Sequence, residues 1–239
     1  MSEQLFAGQL ALVTGASRGI GAATAQALAA AGAHVVLTGR DVKALEAVEE
    51  AIFASGGMAT IAPVDLVEAD GIARLATAIR SRWEALDILV INAAILPQLS
   101  SVTDIDQGAF NKALTTNVMA TQALLAAFDP MLKASADARV IGLTSSVATE
   151  PRAFWGAYAA SKAAFEALLD CYAQEVLNIS KIRVAIVNPG ATRTAMRARA
   201  YPGEAPASVK PPEVVAQRLV ALLGEQFASP ARESVNGDS

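Results

Sequence analysis

Six short apolar runs, separated by longer stretches of helical pattern, constrain this chain of 239 residues more than any other feature. The runs are Leu10–Val13, His34–Thr38, Ala59–Val64, Asp87–Ile91, Arg139–Leu143 and Arg183–Val187. Between them, Ala22–Ala31, Lys43–Ser55, Asp70–Trp83, Asp106–Phe128 and Tyr158–Leu177 carry apolar residues at helical spacing. Strand–helix alternation of this kind predicts right-handed crossovers and one α/β domain, a doubly wound parallel sheet with helices on both faces. The 53% hydrophobic content is built from Ala, Val, Leu and Ile rather than aromatics, as such a sheet requires. After the sixth run, which ends at Asn188-Pro189-Gly190, the pattern changes. Ala191–Pro211 reads as an irregular loop, Pro212–Leu223 as a last helix, and Gly224–Ser239 as a polar tail expected to be mobile. Six strands are therefore expected.

A net charge of −4 argues against a nucleic-acid partner. No apolar run reaches the roughly 18 residues of a membrane span, and the first ten residues lack the basic start and apolar stretch of a signal peptide. No membrane association and a cytoplasmic location are the expectation. The single cysteine, Cys171, excludes an internal disulfide and a thiolate cluster, and reads as core filler within its helix. With His34 as the only histidine, a histidine-based metal site or a Ser-His-Asp triad has no support, and no metal is expected.

The first run opens into TGASRGIG, Thr14–Gly21, which passes directly into a helix. Glycines there let backbone approach a pyrophosphate, and a helix N-terminus offers unpaired N–H groups; a tight turn without a ligand is the competing reading. At the end of the second run comes Arg40, with no acid before Asp41, which reads as a helix N-cap. An arginine suits the 2′-phosphate of NADP(H), an acid the 2′-hydroxyl of NAD(H), so NADP(H) is favoured. Arg18 can approach the same phosphate; solvated surface charges are the alternative for both arginines. Further on, Tyr158 and Lys162 stand four residues apart in a helical run, on one face. An ammonium beside a phenol favours the phenolate and lowers a pKa that is otherwise near ~10, as proton transfer to a carbonyl oxygen needs.

Together these residues resemble the short-chain dehydrogenase/reductase family over essentially residues 8–223. TGASRGIG is similar to its TGxxxGxG turn, and Asp65 in PVDL to the acid that caps the adenine amine. INAA, Ile91–Ala94, stands where NNAG is usual. Asn117 in TTNVMA, Ser145, and the pair Tyr158 and Lys162 match the active-site residues, and NPGATRT, Asn188–Thr194, the PG motif. The resemblance implies a Rossmann-type fold and hydride transfer between a nicotinamide and a carbonyl or alcohol substrate. Tyr158 is the acid/base, Lys162 holds the ribose and tunes the tyrosine, Ser145 holds the substrate oxygen, and Asn117 holds a relay water. Of the adjacent hydroxyls, Ser145 aligns best and Ser146 is the fallback. The implied cofactor contacts are Gly15, Ser17, Arg18, Gly19, Ile20, Gly21, Arg40, Asp65, Leu66, Asn92, Tyr158, Lys162, Pro189, Gly190, Thr192 and Thr194.

Two departures carry consequences. Ile91 and Ala94 replace an asparagine and a glycine, giving the cofactor floor a more apolar character while Asn92 remains. The tail shows no seventh strand, and because the family's tetramers partly use that strand, a dimer is expected over a tetramer. Ala159, Ala160, Ala163 and Ala164 of the Tyr158 helix offer the alternative close-approach surface. On the substrate side, Phe154, Trp155 and Met196 either line an apolar pocket or simply pack. Arg193, Arg197 and Arg199 form either an anion site or a solvated face. A non-catalytic NAD(P)-binding regulator on this fold is the rival function, although such a protein would be expected to have lost one of Ser145, Tyr158 or Lys162. A nucleotide-sugar epimerase or dehydratase would want a longer C-terminal domain.

Overall fold

The computed structural model describes residues 4–235. Seven strands form one wholly parallel sheet: β1 (Leu10–Thr14), β2 (His34–Gly39), β3 (Met58–Pro63), β4 (Ile88–Ile91), β5 (Arg139–Leu143), β6 (Arg183–Asn188) and β7 (Ala231–Ser234). Their order is β3-β2-β1-β4-β5-β6-β7, so the winding reverses between β1 and β4. In open α/β sheets ligands bind at the carboxyl ends of the strands beside such a reversal. Parallel pairing demands crossovers, supplied here by α1 (Gly19–Ala30), α2 (Val42–Ala54), α3 (Gly71–Arg80), α4 (Gln107–Leu114), α5 (Ala120–Ala134), α6 (Gly156–Val176), α7 (Ala195–Ala200) and α8 (Pro212–Gly224).

Strand side chains alternate between two apolar layers. Leu12, Val36, Leu89, Val140 and Ile186 pack against α3, α5 and α6, whereas Val13, Leu37, Val90, Ile141 and Val187 face α1, α2 and α8. Both faces are covered, which is why the runs read as continuously apolar. Asp41 caps α2 as expected, its carboxylate accepting the Ala44 N–H at 3.1 Å. Close packing sets the position of α6. A Cβ on Gly142 of β5 would stand 2.2 Å from Leu169 Cδ1 and 2.8 Å from Phe165 Cζ, so only glycine lets this helix rest on the strand. The long helical pattern around Asn117 is interrupted: α4 passes into a π turn, Thr115–Met119, before α5 begins. Such turns widen the helix by one residue and aim a side chain differently.

Six of the strands fall where the apolar runs predicted them; the seventh corrects the expected count. The segment expected to be a mobile tail instead pairs with β6, from Ala185↔Ala231 to Asn188↔Ser234. β7 escapes an apolar-pattern search because it is an edge strand held by charge. Glu233 pairs with Arg218 of α8, and Arg232 with Glu166 and Asp170 of α6. The part of the tail from 236 to 239 lies outside the described residues. With β7 in place, the missing strand that favoured a dimer over a tetramer no longer does so. Cys171 is also corrected. It is exposed, on the outward face of α6 that also shows Ala160, Ala163 and Ala167, while Ala159, at the edge of that face, is buried.

Among the described residues, no helix is long and apolar enough to cross a membrane. His34 is bonded to Thr60 at 2.8 Å and packs its ring on Trp83, 5.1 Å between centroids.

Candidate active site

A cleft of about 770 Å³ opens at the carboxyl ends of β1 to β6. Its floor is the glycine turn. Gly15 and Gly19 have φ of +64° and +56°, the left-handed region that favours glycine. A clamp from β4 holds this turn: Asn92 Nδ2 donates to the carbonyls of Thr14 (2.8 Å) and Gly15 (3.3 Å). Thr14 Oγ1 in return accepts the N–H groups of Asn92 (2.9 Å) and Ala93 (3.0 Å). Thr14 was assigned no role from sequence; its place at the strand end within the turn was the available signal. α1 starts at Gly19 with no side-chain cap and no acid in its first turn, leaving its positive end for an anion. A pyrophosphate fits this cradle: close backbone, orphan donors, and a cationic rim.

The cleft brings together thirteen of the catalytic and cofactor residues implied by the sequence. Gly15, Ser17, Arg18, Gly19 and Ile20 come from the turn. Arg40, Asp65 and Leu66 follow β2 and β3; Asn92 follows β4. Tyr158 and Lys162 project from α6, and Pro189 and Thr194 follow β6. Arg40 and Asp65 approach each other at 4.0 Å. The other five, Gly21, Asn117, Ser145, Gly190 and Thr192, are not among the residues that line it. Gly21 packs on the turn itself with no room for a side chain: a Cβ would stand 2.2 Å from the Gly15 oxygen. Gly190, at φ +65°, packs on Val235. Thr192 is buried, and its hydroxyl donates to the carbonyls of Pro189 (3.1 Å) and Gly190 (3.3 Å), so it shapes the turn.

Asn117, 1% exposed, sits in the π turn and acts as a strut. Its Oδ1 accepts the Ile95 N–H at 2.9 Å, and Nδ2 donates to the Ile95 carbonyl (3.0 Å) and to Ser161 Oγ (2.9 Å). It thereby ties the segment after β4 to α6. Its own carbonyl accepts Thr121 Oγ1 at 3.0 Å.

The three adjacent hydroxyls after β5 are distinguished by their partners. Thr144 donates to Glu166 at 2.6 Å, and Ser146 accepts from Arg152 at 3.2 Å. The half-buried Ser145 hydroxyl has no partner among the described residues. Tyr158 is 7% exposed and its hydroxyl lies 4.0 Å from Met196 Sδ. Lys162, 3% exposed, donates to the Leu143 carbonyl at 2.7 Å and sits 4.4 Å from the Phe165 ring centroid. Burial lowers its pKa to about 7, against an opposing pull from Glu166. Burial raises the Tyr158 phenol above its ordinary value, the reverse of the expected direction. The ammonium is turned to Leu143 and lies 6.0 Å from the phenol ring centroid, too far to compensate the lost hydration.

The substrate side is apolar. Trp155 stands 6.1 Å from Tyr158 and 5.8 Å from Tyr201 by ring centroids, with Leu96 and Met196 packed among them. The loop after β6 is not wholly irregular: Thr194 caps the short α7. The arginine cluster in it is largely engaged. Arg197 forms a two-bond pair with Glu204 (2.7 and 2.6 Å) and stacks on Tyr201, and Arg199 donates to the Leu96 carbonyl at 2.9 Å. Only Arg193 of the three lines the cleft. Phe154 is 61% exposed at φ +72°, outside the apolar group that Trp155 joins.

A reversal-point cleft with a glycine cradle and a buried Tyr–Lys pair defines a nucleotide-binding α/β protein of the dehydrogenase type. A model of the short chain dehydrogenase family matches residues 9–205, and the chain belongs to this family of oxidoreductases. It is 34% identical over 226 residues to the uncharacterized oxidoreductase YciK of Escherichia coli K12, covering 93% of this chain and 89% of that protein. Fatty acyl-CoA reductase of Acinetobacter baylyi is 33% identical over 190 residues, 79% of this chain and 64% of that one. Among solved structures, a Pseudomonas syringae protein described as a short chain dehydrogenase superposes with a TM-score of 0.94 at 37% identity, covering 98% and 97% of the two chains. An Escherichia coli CFT073 counterpart complexed with NADPH gives 0.94 at 33% identity, covering 99% and 100%.

Proposed function

We propose that this protein is an NADP(H)-dependent oxidoreductase acting on an apolar carbonyl or alcohol, with Tyr158 as the acid/base. The observation that carries this reading is a buried phenol and ammonium on one face of α6, at the wall of a cleft with a pyrophosphate cradle. A nicotinamide held there would supply or accept the hydride. The glycine turn and the α1 terminus hold the diphosphate, Asp65 the adenine, and Arg40 with Arg18 a 2′-phosphate. Lys162 holds the ribose, and its charge draws the phenol toward ionisation once it turns from Leu143. Tyr158 gives its proton to the carbonyl oxygen in reduction or removes one from the alcohol in oxidation. Ser145, its hydroxyl uncommitted, donates to the same oxygen and stabilises charge developing there. Asn117 holds the backbone of this wall in place. The NADP(H) reading is supported by the NADPH-bound relative and by Arg40 at the cleft rim. An apolar substrate is supported by the Trp155–Tyr201–Met196 surroundings of the phenol and by the engagement of Arg197 and Arg199. The small outward face of α6 at Ala160, Ala163 and Ala167 suits self-association.

Fluorescence titration with NADPH and NADH, followed by a panel of aliphatic and aromatic carbonyls, tests this directly. NADPH is expected to bind more tightly and to be oxidised by an apolar carbonyl. Arg40→Ala should weaken NADPH by about tenfold or more, a hydrogen bond to a charged group being worth ~1.5–3 kcal/mol, while leaving NADH nearly unchanged. Equal losses for both cofactors would remove Arg40 from the 2′-phosphate site.

The lowered pKa of Lys162 sets a pH dependence. Between about 7 and its ordinary 10.5, the unfolded chain carries this proton and the folded chain does not, so folding is increasingly favoured as pH rises through that window. Cofactor binding that needs the ammonium has the opposite sign. NADH affinity should fall above pH ~7, by up to about tenfold per unit. NADH is the cleaner probe because it lacks a 2′-phosphate that itself titrates near pH ~6. A flat affinity from pH 7 to 9 would show that Lys162 does not bind the cofactor as an ammonium.

A further inference from the structure

Glu166 lies one helical turn beyond Lys162 and is 6% exposed. A carboxylate removed from water is costly unless its oxygens are paired. Both are paired here, one from the segment after β5 and one from β7. Oε1 accepts Thr144 Oγ1 of the segment after β5 at 2.6 Å, and Oε2 stands 2.5 Å from Arg232 Nη1 of β7. The second Arg232 nitrogen reaches Asp170 at 2.5 Å, one turn further along α6. Three consecutive residues at the end of β5 therefore have distinct attachments. The Leu143 carbonyl holds Lys162, Thr144 is held by Glu166, and the Ser145 hydroxyl has no partner among the described residues.

We propose that Glu166 and Arg232 are positioning residues for the reactive centre: Glu166 fixes the end of β5 that carries both the Lys162 acceptor and Ser145, and Arg232 draws the Glu166 charge toward β7 and away from Lys162. The inference rests on the reading of Tyr158, Lys162 and Ser145 as the reactive groups. Its physical basis is competition for one carboxylate. Lys162 and Glu166 face Tyr158 and Asp170 from α6 and Arg232 from β7, while β5 presents the Leu143 carbonyl and the Thr144 hydroxyl. Without Arg232, the second Glu166 oxygen has the Lys162 ammonium as its neighbour one turn away. An ammonium countered by a carboxylate stays protonated to higher pH and promotes a phenolate less effectively. The C-terminal strand, remote from the cleft in sequence, thus acts on the chemistry through a single ion pair.

The experiment compares the full-length protein with Arg232→Gln, Glu166→Gln and the double variant. Glutamine at 166 keeps an acceptor for Thr144 while removing the charge. Arg232→Gln is expected to lower kcat about tenfold with KM changed less than about twofold, and to move the kcat/KM profile to higher pH. The double variant should recover most of that loss, since no uncompensated charge remains, and Arg232→Lys should recover part of it. Additive losses, or a lowered thermal midpoint with an unmoved pH profile, would overturn the proposal and leave a pair that is only structural. NADH affinity against pH supplies a reading independent of turnover: its fall-off should move up by about one unit in Arg232→Gln and down in Glu166→Gln. If Arg232→Gln does not fold, the Glu166→Gln curve decides, and an unmoved fall-off overturns the proposal. Absence of carbonyl turnover in the wild type would sink the reductase reading, and the binding curves would still decide the positioning role.

Discussion

Tyr158→Phe is expected to lower kcat by about 10²–10⁴-fold while leaving NADPH affinity within about twofold. The separation follows from the geometry. The ring of Tyr158 is buried beside Trp155, and the hydroxyl reaches the cleft next to Met196 Sδ. Removing one oxygen keeps the ring packing, so stability should change by no more than about 1.5 kcal/mol, the net worth of one hydrogen bond. Single-turnover oxidation of bound NADPH by the best carbonyl, with a parallel binding titration, measures both quantities. Turnover within about twofold of wild type would remove Tyr158 as the proton donor and return weight to the regulatory alternative.

Gly21→Ala should cost NADPH affinity about tenfold or more and destabilise the fold by ~1–3 kcal/mol. The added Cβ would stand 2.2 Å from the Gly15 oxygen and 2.5 Å from Asn92 Nδ2. One obstacle is backbone and the other is the clamp that holds the turn, so neither yields without moving α1 off the cradle. At this chain length the stability loss corresponds to a thermal midpoint lower by about 2–12 °C. Gly203→Ala is the control, because a Cβ there meets nothing within 4 Å. Undiminished NADPH binding in Gly21→Ala would show that the diphosphate does not sit on this turn.

Much of the fold was legible in the chain because the sheet is buried on both faces. Such strands read as near-continuous apolar runs, and β1 through β6 announce themselves within a residue or two of their ends. β7 was not legible for the converse reason. An edge strand bonded on one side needs no apolar face, and Arg232 and Glu233 are anchored by ion pairs to helices far off in sequence. The π turn at Asn117 was likewise hidden, since a one-residue widening leaves the apolar spacing nearly intact. At the site, the glycine turn and the Tyr158–Lys162 spacing were readable because their geometry is local: one turn, one helix face.

What the neighbours of those residues do is a different kind of information. The choice among Thr144, Ser145 and Ser146 depends on Glu166 and Arg152 engaging two of the three hydroxyls. The arginines after β6 read as an anion site or a solvated face, and neither reading contained the partners that engage two of them, Glu204 and the Leu96 carbonyl. The direction of the Tyr158 and Lys162 shifts depends on desolvation and on where the ammonium points, neither of which i, i+4 spacing contains. The sequence by itself determined the doubly wound class, the glycine turn and the placing of Tyr158 and Lys162 on one helix face, because periodicity and glycine placement act over a few residues. The tertiary structure alone decided the seventh strand, the choice among the three hydroxyls and the charge balance around Lys162, because each depends on burial and on partners that meet only when β5, α6 and β7 pack together.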